Sequence, residues 1–341
     1  MSKLNVAPTL GDVAKKAGVS TATVSRCLND PKRVVEATRE RVMSAVEALG
    51  YTPNFAAQVM AAKRSLTIGA IIPTMENAIF ARGLQAFQEE LHNRGYTLLV
   101  SSSAYDPKIE KEQIRTLVAR GADGILLIGH ERDPAIHDYL ARQNVPALVA
   151  WSYRSDATLP SIGFDNRAAM SDLTCKVLDH GHKSIAMISG ISSGNDRARE
   201  RIEGFQAAAT ANGLDAQALP IIESSYDIES GAAAFSKLIT STPRPSAVLC
   251  GNDVLAAGAI KRATEMGLHV PNDVSITGFD DIELARVVSP ALTTVHVPHR
   301  KMGRRAADML IAMVEGNFSG TSKQLETHII ERASLGPARV T

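Results

Sequence analysis

The sequence predicts an all-α helix-turn-helix headpiece followed by an α/β region of two doubly wound parallel-sheet lobes. Three observations carry this. Residues 9–64 hold short helical patterns punctuated by Gly18, Gly50 and Pro53. From Leu66 onward, short apolar runs alternate with helical stretches, the texture of a parallel sheet with crossover helices. That alternation then runs through a second time. A chain of 341 residues is too long for one small core and comfortable for a headpiece plus two lobes.

In Leu10–Ala17 the apolar Leu10, Val13, Ala14 and Ala17 recur at i, i+3, i+4 and i+7, one face of a helix, and Gly18 stops it. Val19 and Ser20 fill a tight turn, with Ser20 an N-cap type for a second helix over 21–28. That spacing is a helix-turn-helix. Val24, Cys27 and Leu28 fall toward the first helix, leaving Thr21, Ala22, Ser25, Arg26 and Asn29 pointing away. A face of small side chains with one arginine suits a DNA major groove. The backbone can approach base edges there, and the Arg26 fork can reach guanine O6 and N7 together. Charge agrees only locally: 37 basic residues nearly cancel 36 acidic ones overall, but residues 1–65 hold 10 basic against 5 acidic. Lys15, Lys16, Lys32, Arg33, Arg39 and Arg41 are therefore candidates for phosphate contacts, which set register without reading sequence.

A third helix is patterned by Val42, Ala45, Val46 and Leu49, with Gly50 as its stop. Pro53 and the N-cap type Asn54 then open an Ala-rich stretch, 55–62, with good helix propensity but barely two turns. A helix so short is marginal alone, so its order would depend on a partner surface.

In the first lobe LTIGAIIP, YTLLVSS, DGILLIG and PALVAW read as strands, with helical segments near 78–94, 108–120 and 134–143. In the second, SIAMISG, ALPIIES, SAVLCG and VSITGFDD read as strands, with helices near 197–212, 228–240 and 253–266. Ligands bind outside the carboxyl ends of such strands, which between two lobes means a shared cleft. Residues just after strands are therefore informative. They include Thr74, Glu76, Asn77 and Phe80; Trp151, the one Trp; Asn252 and Asp253; and Asp280 and Asp281. Arg197 and Arg201 lie one turn apart on a helix after a Ser- and Gly-rich loop, and Tyr226 completes the set. Aromatic faces with carboxylate, amide and guanidinium groups suit a sugar: stacking covers its apolar face, and fixed polar groups reject analogues lacking a hydroxyl. Two guanidiniums at i, i+4 repel unless an anion lies between them, so the pair points to an acidic effector, a sugar acid or sugar phosphate.

Other chemistry is thin. No GxGxxG follows a strand, and neither a Walker-type GxxxxGK[ST] nor HExxH occurs, so no catalytic residues, cofactor or metal site are expected. His180 and His182 flank Gly181 near a helix end, where a cation favours the helix dipole. Cys27, Cys175 and Cys250 fall in unrelated elements and read as thiols of a reducing compartment. MSKLNVAPTL has no apolar h-region, and no run approaches the length of a membrane span, so the expected location is cytoplasmic, with no membrane partner.

The headpiece, ERIEGF at 200–205, GND at 251–253, GFDD at 278–281, and LTTV at 292–295 followed by MGRRAADML together resemble the lactose-repressor (LacI/GalR) family of transcription regulators, over nearly the whole chain. The resemblance implies a periplasmic-binding-protein-like effector region. It divides the chain into a headpiece at 1–52, a hinge at 53–65, a first lobe at 66–163 and 297–321, and a second at 164–296 and 322–341. It implies base reading by Thr21, Ala22 and Arg26, within a DNA-contact set of Thr9, Ser20, Thr21, Ala22, Thr23, Ser25, Arg26, Asn29, Val34, Asn54, Ala57 and Met60. Paired hinge helices would enter the minor groove with Met60 as the apolar wedge, where the family commonly has Leu. Effector contacts would fall to Arg201, Asn252 and Asp280, with Asn77, Phe80, Trp151, Arg197 and Tyr226 lining the rest. Where the family has a Ser cap on the third helix, this chain has Val35, so Glu36 or Thr38 is expected to supply an acceptor.

The implied function is a ligand-gated regulator, with repression as its output, acting as a homodimer on double-stranded operator DNA. No Leu heptad precedes Thr341, so no coiled-coil tetramer is indicated. The alternative is a sugar-binding protein or a sugar-processing enzyme on the same two lobes, with Asp280 and Asp281 as an acid/base pair. Only the regulator uses residues 9–64.

Overall fold

The computed structural model describes residues 7–52, 64–76 and 78–339, and the chain divides into two compact units, 1–65 and 66–341. The expectations at Asn54, Ala57, Met60 and Asn77 lie outside the described residues.

The first unit holds α1 (Leu10–Ala17), α2 (Thr21–Asn29) and α3 (Glu36–Leu49). Helix α1 is opened by a capping box: the Thr9 hydroxyl accepts from the Asp12 amide at 3.3 Å, while the Asp12 carboxylate accepts from the Thr9 amide at 2.8 Å. Gly18 closes it at φ 66°, a conformation that L side chains resist. Ser20 caps α2 by accepting from the Thr23 amide at 3.2 Å. Val35 offers α3 no acceptor, and Glu36 turns to Arg39 at 3.1 Å instead of covering the helix end. Val13, Val24 and Val42, one from each helix, are fully buried and are joined by Ala14, Cys27 and Tyr51. That small core holds the second helix against the first and third.

The second unit carries two six-stranded sheets. The first contains β1 (Thr67–Ile72), β2 (Thr97–Ser102), β3 (Gly124–Ile128), β4 (Ala147–Ala150), β5 (Ser161–Gly163) and β11 (Lys323–Gln324), in the order β11-β5-β4-β3-β1-β2. The second contains β6 (Ile185–Gly190), β7 (Ile221–Ser224), β8 (Ala247–Cys250), β9 (Ser275–Asp280), β10 (Thr293–His296) and β12 (His328–Ile330), in the order β12-β10-β9-β8-β6-β7. All described pairings are parallel except β10 with β12. Every residue of β1, β3, β4, β6, β8 and β9 is buried, which is why these strands read as unbroken apolar runs.

Helices α4 (Ala78–Asn93), α5 (Pro107–Ala119), α6 (Pro134–Arg142) and α12 (His299–Val314) serve the first lobe; α7 (Asn166–Asp179), α8 (Asp196–Ala211), α9 (Ile228–Ile239) and α10 (Asp253–Glu265) serve the second, and a single turn, α11 (Leu284–Val287), follows β9. Helix α12 packs tightly on α4, since a Cβ at Gly303 would stand 2.0 Å from the Gly83 carbonyl oxygen. The chain passes between lobes after β5, after β10 and after β11. One boundary therefore moves. The sequence reading hands the chain to the second lobe at 322, but Lys323 and Gln324 pair with Ile162 and Gly163 in the first sheet. Ser322 accepts from the Ser161 amide at 3.0 Å, and the Leu325 amide donates to Gly163 at 2.7 Å. No helix among the described residues is long and apolar enough to cross a membrane.

Candidate nucleic-acid interface and candidate ligand cleft

On α2, Thr21, Ala22, Arg26 and Asn29 are exposed, while Thr23 and Ser25 are half-buried. The Asn29 amide donates to Ser25 Oγ at 3.2 Å, tying two polar positions of that face together. Ser20 and Thr23 share a hydroxyl contact of 2.9 Å at the helix start, and Thr9 is held by Asp12. Val34 is half-buried against the headpiece core. Arg33 pairs with Asp30 at 2.9 Å and Arg39 with Glu36, whereas Lys15, Lys16, Lys32 and Arg41 are exposed with no ion-pair partner among the described residues. Arg26 thus projects from a face of small side chains, with free cations around it, which is an arrangement able to read a base edge between phosphate contacts.

In the second unit, a cavity of about 490 Å³ opens where the carboxyl ends of both sheets meet. Thr74, Glu76, Ala104 and Tyr105 line it from the first lobe, and Asn195, Ser224 and Tyr226 are among its second-lobe walls. Tyr105 and Tyr226 face each other with ring centroids 6.1 Å apart. Burial pushes both phenols up, so both remain protonated donors at neutral pH. Gly190, the last residue of β6, makes room: a Cβ there would lie 2.0 Å from Tyr226 Cζ.

Next to Tyr226 lies a buried polar cluster. Arg201 stacks over Phe279 at 3.9 Å, donates through Nε to Asn166 Oδ1 at 2.9 Å and through Nη1 to the Gly251 carbonyl. Its Nη2 is 3.8 Å from Asp280 Oδ1, beyond hydrogen-bond length. Neither oxygen of the fully buried Asp280 carboxylate has a hydrogen-bond partner, and Asn252 Nδ2, Ser189 Oγ and Ser224 Oγ are likewise buried and unpaired among the described residues. Burial pushes Asp280 up to about 6, against the pull of Arg201. Ala104, Tyr105, Trp151, Asp280 and Asp281 all hold positive φ, between 50° and 103°, at the strand ends around this cleft. Non-glycine residues persist in that region only where their surroundings enforce it.

The candidate residues named from the sequence divide. Tyr226 lines the cavity, while Arg197, Arg201 and Asp280 bear electrostatically on Tyr226 and Tyr105. Asn252 also caps α10, its Oδ1 accepting from Leu255 at 2.9 Å. Phe80 and Trp151 are not brought to the cavity wall. Their rings pack edge-on at 5.4 Å inside the core, and Trp151 Nε1 donates to His299 Nδ1 at 3.2 Å. His299, held neutral at about 4 by burial, is thereby left with its other nitrogen protonated, facing the Asp280 carbonyl at 3.3 Å. The anions expected between Arg197 and Arg201 are internal: Asp196 sits 2.9 Å from Arg197, and Asp280 faces Arg201. Asp281 is clamped by Arg332 at 2.6 Å and His296 at 2.8 Å, so it is not free to act as an acid/base partner of Asp280. Tyr105, Asn195 and Ser224 were not singled out by the sequence reading, although all three lie just beyond or at a strand's end.

Residues 9–54 match the model of the bacterial regulatory proteins of the lacI family, and residues 176–335 that of a periplasmic binding protein-like domain. The HTH-type transcriptional repressor CytR of Escherichia coli (strain K12) is 33% identical over 334 residues, covering 97% of each chain. The chain belongs to the LacI family. The repressor PurR of Photobacterium profundum is also 33% identical, over 90% of this chain and 92% of its own. A Lac repressor dimer bound to operator and the anti-inducer ONPF superposes with a TM-score of 0.87 at 28% identity, covering 97% of this chain and all of the other. This LacI-family member is accordingly a DNA-binding transcription regulator, with a headpiece on residues 9–54 and a two-lobed α/β effector region. The lobes are bridged beside the cleft: Asp196 of α8 accepts from the His130 amide at 2.5 Å, Arg199 meets Glu131 at 2.7 Å, and Glu200 meets Arg154 at 2.7 Å.

Proposed function

We propose that this regulator acts as a cytoplasmic two-fold dimer on a near-palindromic operator, represses transcription there, and has its operator affinity set by a neutral, hydroxyl-rich molecule of the sugar class held between the lobes. The observation that carries the ligand class is the Asp280 carboxylate, fully buried and without a donor. A buried carboxylate left unpaired is costly, and two sugar hydroxyls donating to it would remove that cost. Asn252 Nδ2 and the protonated phenols of Tyr105 and Tyr226 supply the matching donors, and the two rings supply apolar faces. Neutrality follows from charge balance, since Arg197 and Arg201 already face Asp196 and Asp280. The acidic effector suggested by the arginine spacing loses its reason.

A single headpiece covers only one half-site, which favours a symmetric pair on DNA. Ligand in the cleft would favour one relative arrangement of the lobes and so bias how two headpieces are presented. The position of Asp281, clamped by Arg332 and His296, speaks against the paired-carboxylate enzyme. Thermal-shift screening of neutral sugars against their acid and phosphate forms tests the proposal. Stabilisation by a neutral sugar, lost in Asp280→Ala, is expected; stabilisation only by the acid or phosphate forms would refute the ligand class.

A further inference from the structure

A second cavity, of about 220 Å³, lies in the first lobe between the segment after β3, helix α6 and the loop joining β4 to β5. Its chemistry is one-sided. Arg132 and Arg154 are permanent cations, His130 and His137 add two imidazoles, and the only carboxylate on its wall is Asp156. The Arg132 side chain is 1% exposed. Its Nη2 donates to the Gly129 carbonyl at 2.7 Å and lies 3.5 Å from Glu110, but its Nε and Nη1, with Nε2 of both histidines, are buried without a hydrogen-bond partner among the described residues. Asp196 is engaged with the His130 amide and Arg197, while Glu110 meets Arg132 at Nη2 and Glu200 meets Arg154, so each cavity arginine has one carboxylate and Arg132 still keeps two donors unmade. Burial, reinforced by Arg154 and Arg132 and opposed by Asp196, holds His130 down at about 4; burial and Arg132, opposed by Asp138, lower His137. Both rings are therefore neutral at pH 7; His130 already donates to the Ser152 carbonyl, so His137 is the imidazole left to donate into the cavity. A buried guanidinium with two unmade donors calls for an acceptor that carries negative charge.

We propose that this cavity binds a phosphate group, gripped by the free Nε and Nη1 of Arg132, with Arg154 and the imidazole of His137 completing the shell. A guanidinium fork matches two phosphate oxygens at once, and the cavity's size suits an anionic head rather than a whole effector. The site is separate from the cleft and stands whether or not the cleft takes a neutral sugar. Arg154 also holds Glu200 of the opposite lobe, so occupancy touches one of the bridges between lobes.

Calorimetric titration of the full chain with inorganic phosphate, at ionic strength fixed by chloride, is expected to show one saturable site per chain. Arg132→Gln should weaken it at least about tenfold. Ala157→Glu, which sets a carboxylate on the loop wall without touching a buried charge, should abolish it, whereas Arg201→Lys in the cleft should leave it unchanged. Glucose 6-phosphate in the same titration identifies the source. Tighter binding than phosphate, also lost in Ala157→Glu, marks a phosphorylated metabolite as the occupant, and weaker binding marks the free anion. Absence of saturable binding at millimolar phosphate, full binding by Ala157→Glu, or loss of binding in Arg201→Lys would overturn the site.

Discussion

Replacing Asp280 by Asn separates the energetic role of this residue from its recognition role. Its carboxyl is fully buried, has no hydrogen-bond donor, and is pushed from 3.8 up to about 6 by burial despite Arg201. The folded protein therefore holds the proton more tightly than the unfolded chain does. Stability from this linkage is complete below pH 3.8 and is lost as pH rises through about 6. Two pH units of difference correspond to about 3 kcal/mol in full, of which about 2 kcal/mol falls between pH 4.5 and 7.5. Asn has no proton to lose, so the stability of Asp280→Asn relative to the parent should rise by about 2 kcal/mol over that interval. For a unit of this size that is a relative gain of roughly 4–8 °C in melting temperature. Calorimetric melting of both ligand-free chains at pH 4.5 and 7.5 measures it. An equal difference at the two pH values would refute the reasoning, because the carboxyl would then be an ordinary solvated acid. The same variant should lose the ligand response, since the amide replaces one of the carboxylate's two acceptor atoms with an NH2 donor that a hydroxyl proton cannot approach.

Arg26→Ala should cost roughly 1–3 kcal/mol on the operator and relax discrimination at one base position; equal losses on random DNA would make Arg26 a phosphate contact instead. Val35→Ser should supply the missing acceptor at the start of α3 and stabilise the headpiece by about 0.5–2 kcal/mol, read as greater hydrogen-exchange protection of α3 amides; unchanged protection would mean that end is already satisfied. Gly190→Ala should displace the Tyr226 ring, because the new Cβ would fall 2.0 Å from Cζ, weakening the cleft ligand while leaving operator affinity intact. Unchanged ligand affinity would remove Tyr226 from the binding surface.

The headpiece was legible because its signals are local. A cap and its helix lie within three residues, as with Ser20 and Thr23, and Gly18 and Gly50 stop helices by backbone conformation alone. The central strands were legible because burial on both faces demands continuous apolar runs. The shortest strands carry no such mark. Lys323 and Gln324 are exposed and β5 is three residues long, so pairing with a distant partner decides both. In the cleft, the rule that ligands sit beyond strand ends led to Asp280, Asn252 and Tyr226, and applied to β2 it also reaches Tyr105. It could not foresee which aromatic turns inward: Trp151 goes to the core because Gly83 leaves space for its ring and His299 accepts from its Nε1. Nor could arginine spacing reveal its counter-charges, one adjacent in sequence and one 79 positions away.

The central claim is that one chain couples DNA reading by the headpiece to ligand in the cleft. It is tested most directly by measuring affinity for an operator, selected by the full chain from random duplexes, with and without the sugar that raises its melting temperature, at fixed salt. Coupling predicts a two-fold-symmetric operator and a ligand-dependent change of about 5–150-fold, mirrored by the same factor in ligand affinity when the operator is present. Operator affinity that stays the same at saturating ligand would contradict it.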